Sequence, residues 1–114
     1  MADGIRVGVD AVRELAFGGI SGSYAAVGSA TTDAARIIYF GNSTNSDLYV
    51  SIDGTTDHFR VPANSFRLLD LTANKTNWAP LFLGKGVTFY VKEVSATPTS
   101  GAFWVEVING VGGR

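Results

Sequence analysis

The sequence contains no cysteine, a single histidine, only three prolines and no long run of apolar residues. The absence of cysteine excludes disulfides, thiolate metal sites and thiol nucleophiles. Because no stretch of eighteen apolar residues exists, we expect no membrane-spanning helix. We also expect no secretory leader, because "MADGIRVGVD" contains two acidic residues and lacks a basic region followed by an apolar stretch. Synthesis in a cytoplasm is the corresponding expectation.

Charged residues are also scarce, since they make up only 17% of the 114 residues and leave a net charge of −1. A protein that binds nucleic acid without regard to sequence needs a basic surplus to displace counterions, so we expect no direct nucleic-acid binding. A surface of Ser, Thr, Asn, Gly and apolar side chains loses little hydration when a partner covers it. The composition therefore favours one domain that packs against other subunits.

Apolar and polar residues alternate with a period of two from residue 36 onward. This pattern predicts strands at 36–40, 48–52, 58–62, 65–71, 87–94 and 102–108. Short strands separated by turn residues every 8 to 12 positions, roughly, are typical of an antiparallel sandwich or barrel. We therefore predict an all-β fold, a single antiparallel β-sandwich of the immunoglobulin-like or jelly-roll-like kind, with its core in residues 36–108.

The two ends of the chain are less regular. Residues 1–35 fit either an extended arm or the first strands of the sandwich, and 23–30 resemble a strand. Residues 9–17 fit a short helix capped by Asp10 or a strand, and the β pattern of the rest favours extended structure. The last segment, 109–114, contains three glycines and is predicted to be a tail that only a neighbour would order.

The stretch "SIDGTTDHFRVPANS" (51–65) gathers the residues that most suggest chemistry. Asp53 and Gly54 form a strong hairpin signal, because both residue types tolerate positive φ. A calcium loop would add carboxylates at alternating positions and a bidentate glutamate, and a zinc site would need three protein ligands. We therefore predict a turn without a metal, and Asp57 and His58 at its exposed tip are candidates for contact with a neighbouring subunit.

The sequence contains no complete motif for catalysis. A serine–histidine–aspartate triad would have to use His58, and no serine lies in a Gly-x-Ser-x-Gly pattern. The glycine-rich "GGISGS" (18–23) lacks the Lys-Ser/Thr pair of a phosphate-binding loop. Nothing in the sequence indicates that the carboxylates of Glu93 and Glu106 face each other across a cleft. We predict no enzymatic activity and no cofactor.

Several aromatic residues alternate with the aliphatic positions of the predicted strands. They fit three environments, namely a second buried face, a subunit interface, or a platform on which sugar rings stack. With the tip of the 51–65 turn, they form a set of candidate interface residues: Tyr49, Asp57, His58, Trp78, Tyr90 and Trp104.

Two stretches carry a distinctive succession of strands and turns, namely "RIIYFGNSTNSDLYVSIDGTTDHFRVPANSFRLLDLTANK" and "GKGVTFYVKEVSATPTSGAFWVEVI". Through these stretches, residues 36–108 resemble a type of small structural protein of tailed-bacteriophage virions. The resemblance implies a non-enzymatic virion component, made in the host cytoplasm and present in many copies. Such a protein would be a capsid decoration or cement subunit or a neck or tail component, with itself and other virion proteins as partners. The alternative is a glycan- or receptor-binding sandwich, which requires Trp78, Trp104, Tyr49 and Tyr90 to be exposed together.

Overall fold

A computed structural model describes residues 6–31, 35–70 and 86–111, with only the backbone described for 6–8 and 109–111. These residues contain nine strands, one 3-10 turn at Phe17–Gly19 and no α-helix. The strands are β1 (Arg6–Val9), β2 (Arg13–Ala16), β3 (Ala25–Val27), β4 (Ala35–Asn42), β5 (Leu48–Ser51), β6 (Phe59–Val61), β7 (Ser65–Asp70), β8 (Phe89–Glu93) and β9 (Ala102–Val111).

The strands form two antiparallel sheets, which confirms the predicted all-β antiparallel sandwich. The five-stranded sheet has the order β1-β9-β4-β7, and β2 also pairs with β9. The four-stranded sheet has the order β3-β8-β5-β6. Strand β9 is long enough to pair with β1 along its second half and with β2 along its first half. The described part of residues 1–35 therefore contributes β1, β2 and β3 to the sheets.

The core lies between the two sheets and consists of alternate residues from each. Phe40 of β4 is at its centre, and its ring centroid lies 5.6 Å from that of Phe59, 5.7 Å from Phe89 and 6.0 Å from Phe103. Burying an aliphatic or aromatic side chain of this size contributes about 1.5–3 kcal/mol. Other core side chains that are fully buried are Val27, Ile38, Leu48, Val50, Val61, Val91, Val105 and Val107.

The segment 9–17, for which helix and strand were both open, contains the end of β1, the whole of β2 and the first residue of the 3-10 turn. Extended backbone places Leu15 opposite Phe103 of β9, where it packs against the core. Asp10 does not cap a helix and instead accepts a hydrogen bond from the Arg13 guanidinium at 3.0 Å. Tertiary packing therefore decides the conformation of a segment whose local sequence suits both.

Arg13 is buried and joins the two sheets. Its Nε donates to the Ser29 carbonyl at 2.7 Å and its Nη2 to the Ala30 carbonyl at 3.1 Å, just after β3. Gly28 in that turn has a φ of +71°, and a Cβ there would lie 2.7 Å from Arg13 Cγ. The turn after β3 therefore needs a glycine, because the arginine stem occupies the space of any side chain.

The turn after β4 is organised by Asn42, which is 2% exposed. Its amide nitrogen lies 2.9 Å from the Ser46 carbonyl oxygen and 3.1 Å from each of those of Val61 and Pro62. Its oxygen accepts hydrogen bonds from the Thr44 N–H at 2.9 Å and the Thr44 hydroxyl at 2.6 Å. These bonds fix the end of β4 against the corner where the chain passes from β6 in one sheet to β7 in the other.

Candidate interaction surface

The loop between β5 and β6, residues 52–58, lies over the outer face of the four-stranded sheet. The Asp53 carboxylate accepts hydrogen bonds from the N–H groups of Thr55 and Thr56, each at 2.8 Å, and from the Ser51 hydroxyl. These bonds hold the pKa of the Asp53 carboxyl well below its usual range. The next residue, Gly54, has a φ of +83°, and its Cβ position lies 3.5 Å from the Tyr90 ring. The loop therefore packs on part of Tyr90.

His58 has a structural role that sequence reasoning did not provide. Its backbone N–H donates to the Val50 carbonyl at 3.0 Å, and its ring Nδ1 accepts the Ile52 N–H at 3.2 Å. Both bonds close the loop that joins β5 to β6. The histidine ring thus accepts the hydrogen bond of the Ile52 N–H, which a neighbouring strand would otherwise accept.

Asp57 fastens the loop to the sheet. Its carboxylate accepts a hydrogen bond from the Tyr24 hydroxyl, and Lys92 Nζ lies 3.5 Å from Asp57 Oδ1. The Tyr24 hydrogen bond and, to a smaller degree, the Lys92 charge lower the pKa of Asp57. Burial and the hydrogen bond to Asp57 raise the pKa of Tyr24. Lys92 Nζ also lies 4.8 Å from the Tyr24 ring centroid and 5.9 Å from that of Tyr49. The charged groups of this cluster are thus directed at one another.

The acidic residues of the 51–65 turn do not converge on a cation position. The carboxylates of Asp53 and Asp57 are held by different partners, the loop backbone for the first and Tyr24 with Lys92 for the second. Within residues 6–31, 35–70 and 86–111, no group of three or more His, Asp and Glu side chains could hold a metal ion.

The outer face of the five-stranded sheet carries a stack of aromatic rings. Tyr39 and Phe66 have centroids 5.3 Å apart with an interplanar angle of 13°, and Tyr39 lies 6.5 Å from Trp104 at 30°. Leu68 continues the apolar row beyond them. Phe66 and Leu68 are 58% and 55% exposed. We call Tyr39, Phe66, Leu68 and Trp104 the outer aromatic face.

The strand register brings these residues together. Gly41 of β4 lies opposite both Phe66 of β7 and Trp104 of β9, and Tyr39 lies opposite Leu68. Directly opposed residues of antiparallel strands project from the same face, so the four side chains are neighbours. The indole lies on the backbone of Gly41, where a Cβ would come within 2.2 Å of Trp104 Cε2. The absent side chain of Gly41 is what allows the indole to lie there.

A hollow of about 270 Å³ opens at the end of the outer aromatic face nearest Asn42. Three of its residues bear the stacked rings of that face, and the others lie at the end of β4, at the start of β7 and in the turns next to them. Its lining consists of Tyr39, Asn42, Ser43, Asn64, Ser65, Phe66 and Trp104.

The predicted interface residues lie on different sides of the molecule. Tyr49 and Tyr90 belong to the four-stranded sheet and project with the Asp57 cluster, whereas Trp104 lies on the outer face of the other sheet. Trp78 lies outside the described residues. Sequence reasoning missed Phe66 and Leu68 as surface residues, because the adjacent apolar pair at 68 and 69 conceals which side of β7 faces the core.

No helix among the described residues has the length and apolar character needed to cross a membrane. In comparisons with known proteins, no family model, no curated protein and no solved structure matches the chain.

Proposed function

We propose that this chain is a non-enzymatic structural subunit of a tailed-bacteriophage virion, present in many copies as a capsid decoration or cement protein or as a neck or tail component. The outer aromatic face packs against a neighbouring subunit of the particle. The observation that carries the proposal is the exposure of Phe66 and Leu68 beside the stacked rings of Tyr39 and Trp104.

The contrast between the two outer faces supports this assignment of the interface. On the four-stranded sheet, Asp57, Lys92 and Tyr24 bind one another and a loop packs on Tyr90, so that face already has an internal partner. On the five-stranded sheet, Phe66 and Leu68 are left more than half exposed. Because only slightly more than half of each side chain remains exposed, covering one of them contributes about 0.8–1.7 kcal/mol to association. Aromatic side chains are also enriched in protein interfaces.

The virion assignment itself rests on the resemblance of residues 36–108 to small virion proteins. Two further properties support it. A low charge content reduces the hydration lost on packing, and a small all-β domain without long loops in its described part presents broad sheet faces to its neighbours. A glycan platform that combines Trp104 with Tyr49 and Tyr90 receives no support, because these residues belong to opposite sheets.

The proposal is tested by replacing Leu68 with serine, using Val12→Ser as the matched control. Both side chains are similarly exposed, at 55% and 57%, but Val12 lies outside the outer aromatic face. If the face packs in the particle, Leu68→Ser should weaken self-association, or binding to particles that lack this protein, by roughly 4- to 20-fold, the equivalent of about 0.8–1.7 kcal/mol. Val12→Ser should behave as the parent.

Sedimentation velocity over a range of concentrations measures self-association, and co-sedimentation with capsids or tails measures particle binding. A parent protein that remains monomeric and binds neither particle would overturn the proposal. Equal losses in both variants would show that the effect is not specific to this face.

A further inference from the structure

Two carboxylates lie beside the rings of the outer aromatic face. Glu14 of β2 is directly opposite Trp104 of β9. Glu106, two residues further along β9, is directly opposite Tyr39 of β4. Directly opposed residues of antiparallel strands project from the same face, so both carboxylates lie on the outer side of the five-stranded sheet. The Trp104 indole N–H donates to Glu106 Oε2 at 3.0 Å, which holds this carboxylate at the edge of the indole.

No basic side chain of the described residues pairs with either glutamate. The ion pairs formed within residues 6–31, 35–70 and 86–111 join Arg13, Arg60 and Lys92 to aspartates. Both glutamates are exposed, and the nearby positions of β7, Phe66 and Leu68, are apolar. The surface around the indole therefore combines apolar side chains with negative charge that this part of the chain does not neutralise.

A neighbour that covers Trp104 and Tyr39 also covers the two glutamates beside them. A carboxylate that loses its water without gaining a partner opposes binding strongly, so the neighbour has to bring a positive charge. The same face of a second copy would instead place carboxylates against carboxylates, and like charges across an interface disfavour association. The complementary surface is therefore basic at this point and belongs to a different protein.

The rings favour arginine over lysine as the basic residue. A guanidinium is planar, binds a carboxylate through two parallel N–H groups and stacks on aromatic rings. A lysine ammonium is a compact charge that is more strongly hydrated, so it loses more when it is covered. Glu106 supplies the carboxylate, while Trp104 and Tyr39, with centroids 6.5 Å apart and planes inclined at 30°, supply the ring surfaces. Arginine is also enriched in protein interfaces, where lysine is depleted.

We propose that the outer aromatic face binds a different protein that presents an arginine, whose guanidinium pairs with Glu106 and Glu14 beside Trp104. The inference rests on the proposed function, because it specifies the neighbour that covers this face. It goes further in naming the chemistry of that neighbour, which is an apolar surface with an arginine opposite the indole.

Glu106→Gln tests the proposal, because glutamine keeps an oxygen that can accept the indole N–H and loses only the charge. Binding to capsids or tails that lack this protein should weaken at least about tenfold in this variant, and further when Glu14→Gln is added. Asp47→Asn is the matched control. It removes the same charge before β5 of the other sheet, its oxygen can still accept the Ala63 N–H, and it should bind like the parent.

A second measurement does not require particles. Arginine amide or lysine amide is titrated in the millimolar range into the ¹⁵N-labelled protein, and the indole N–H resonances are followed by NMR. The chain has two tryptophans, so Trp104→Phe identifies the resonance of Trp104. Arginine amide should shift this resonance in the parent and in Asp47→Asn and should bind more tightly than lysine amide. The shift should be lost in Glu106→Gln.

The inference is overturned if Glu106→Gln binds particles like the parent. It is also overturned if arginine amide leaves the Trp104 resonance of the parent unchanged or shifts it equally in Glu106→Gln. Self-association of the parent that becomes stronger in Glu106→Gln would show that a second copy covers the face, and it overturns the inference as well.

The two measurements separate this inference from the proposed function. If the parent binds particles and any of these contrary results is obtained, the arginine contact is wrong and the virion role stands. If the parent binds no particle and the response to arginine amide still requires Glu106, the arginine site stands and the virion role is wrong.

Discussion

Replacing Asn42 with alanine should destabilise this protein more than any change of similar size on its surface. The asparagine is 2% exposed, and its amide binds groups from two separate turns. Its nitrogen reaches three carbonyl oxygens, and its oxygen accepts both the N–H and the hydroxyl of Thr44. Alanine removes all of these partners at once.

The expected loss follows from the groups left without partners. A buried donor or acceptor without a hydrogen bond costs about 1–3 kcal/mol. The alanine variant would leave the Thr44 N–H and at least two carbonyls in this condition, although Thr44 Oγ1 can still donate to the Ser46 carbonyl at 3.0 Å. We expect a decrease of about 3–5 kcal/mol in the free energy of unfolding, a large part of the ~5–15 kcal/mol of a typical domain.

Urea unfolding followed by tryptophan fluorescence measures this change, provided that the slope with denaturant is the same in both proteins. Asn45→Ala is the control. Asn45 also makes two side-chain hydrogen bonds, with the hydroxyl and N–H of Thr99, but it is exposed and water can replace them. It should lose less than about 1 kcal/mol. Similar losses in the two variants would refute the argument from burial.

Two further changes test the outer aromatic face and the loop. Gly41→Ala places a methyl within 2.2 Å of Trp104 Cε2, so it should destabilise by about 1–3 kcal/mol and shift tryptophan emission. Gly18→Ala is the control, because a Cβ there meets nothing within 4 Å, and it should change neither stability nor tryptophan emission. Equal changes in the two variants would contradict the position of the indole on Gly41. The lowered pKa of Asp53 adds stability that is present above the ordinary value of about 3.9 and is lost as the pH falls through the folded-state pKa. The urea concentration at the unfolding midpoint should therefore decrease less in Asp53→Asn than in the parent as the pH falls from about 6 to 3. The same decrease in both proteins would show that this carboxylate does not contribute to the pH dependence.

The strands from β4 to β9 could be predicted because each alternates with a period of two and is bounded by turn residues. Their ends differ by one to three residues where a tertiary contact intervenes, as at the end of β9, which pairs with β1 up to Val111. Strand β4 extends to Asn42, because the amide of that residue satisfies the turn that follows. Strand β6 begins after His58, whose ring accepts the Ile52 N–H. These contacts join residues that no local pattern relates.

The candidate surface could be predicted only in part. An alternating strand has two faces, and burial of one face indicates that the other points outward. This reasoning selected Trp104 but did not select Phe66 or Leu68, because both faces of β7 carry apolar residues that could point into the core. The register with β4 decides the matter, because it pairs Phe66 with Gly41 and Leu68 with Tyr39 on the outer side.

Local sequence was sufficient for the all-β class, the antiparallel sheets and the Asp53–Gly54 turn, because alternation and turn chemistry act between residues close together in the chain. It was not sufficient for the separation of Trp104 from Tyr49 and Tyr90, nor for the choice of which outer face a loop packs on. Those features depend on strand order, which places β9 in one sheet and β5 and β8 in the other. Strand order follows from how the whole chain buries its apolar faces together, and no single segment contains that information.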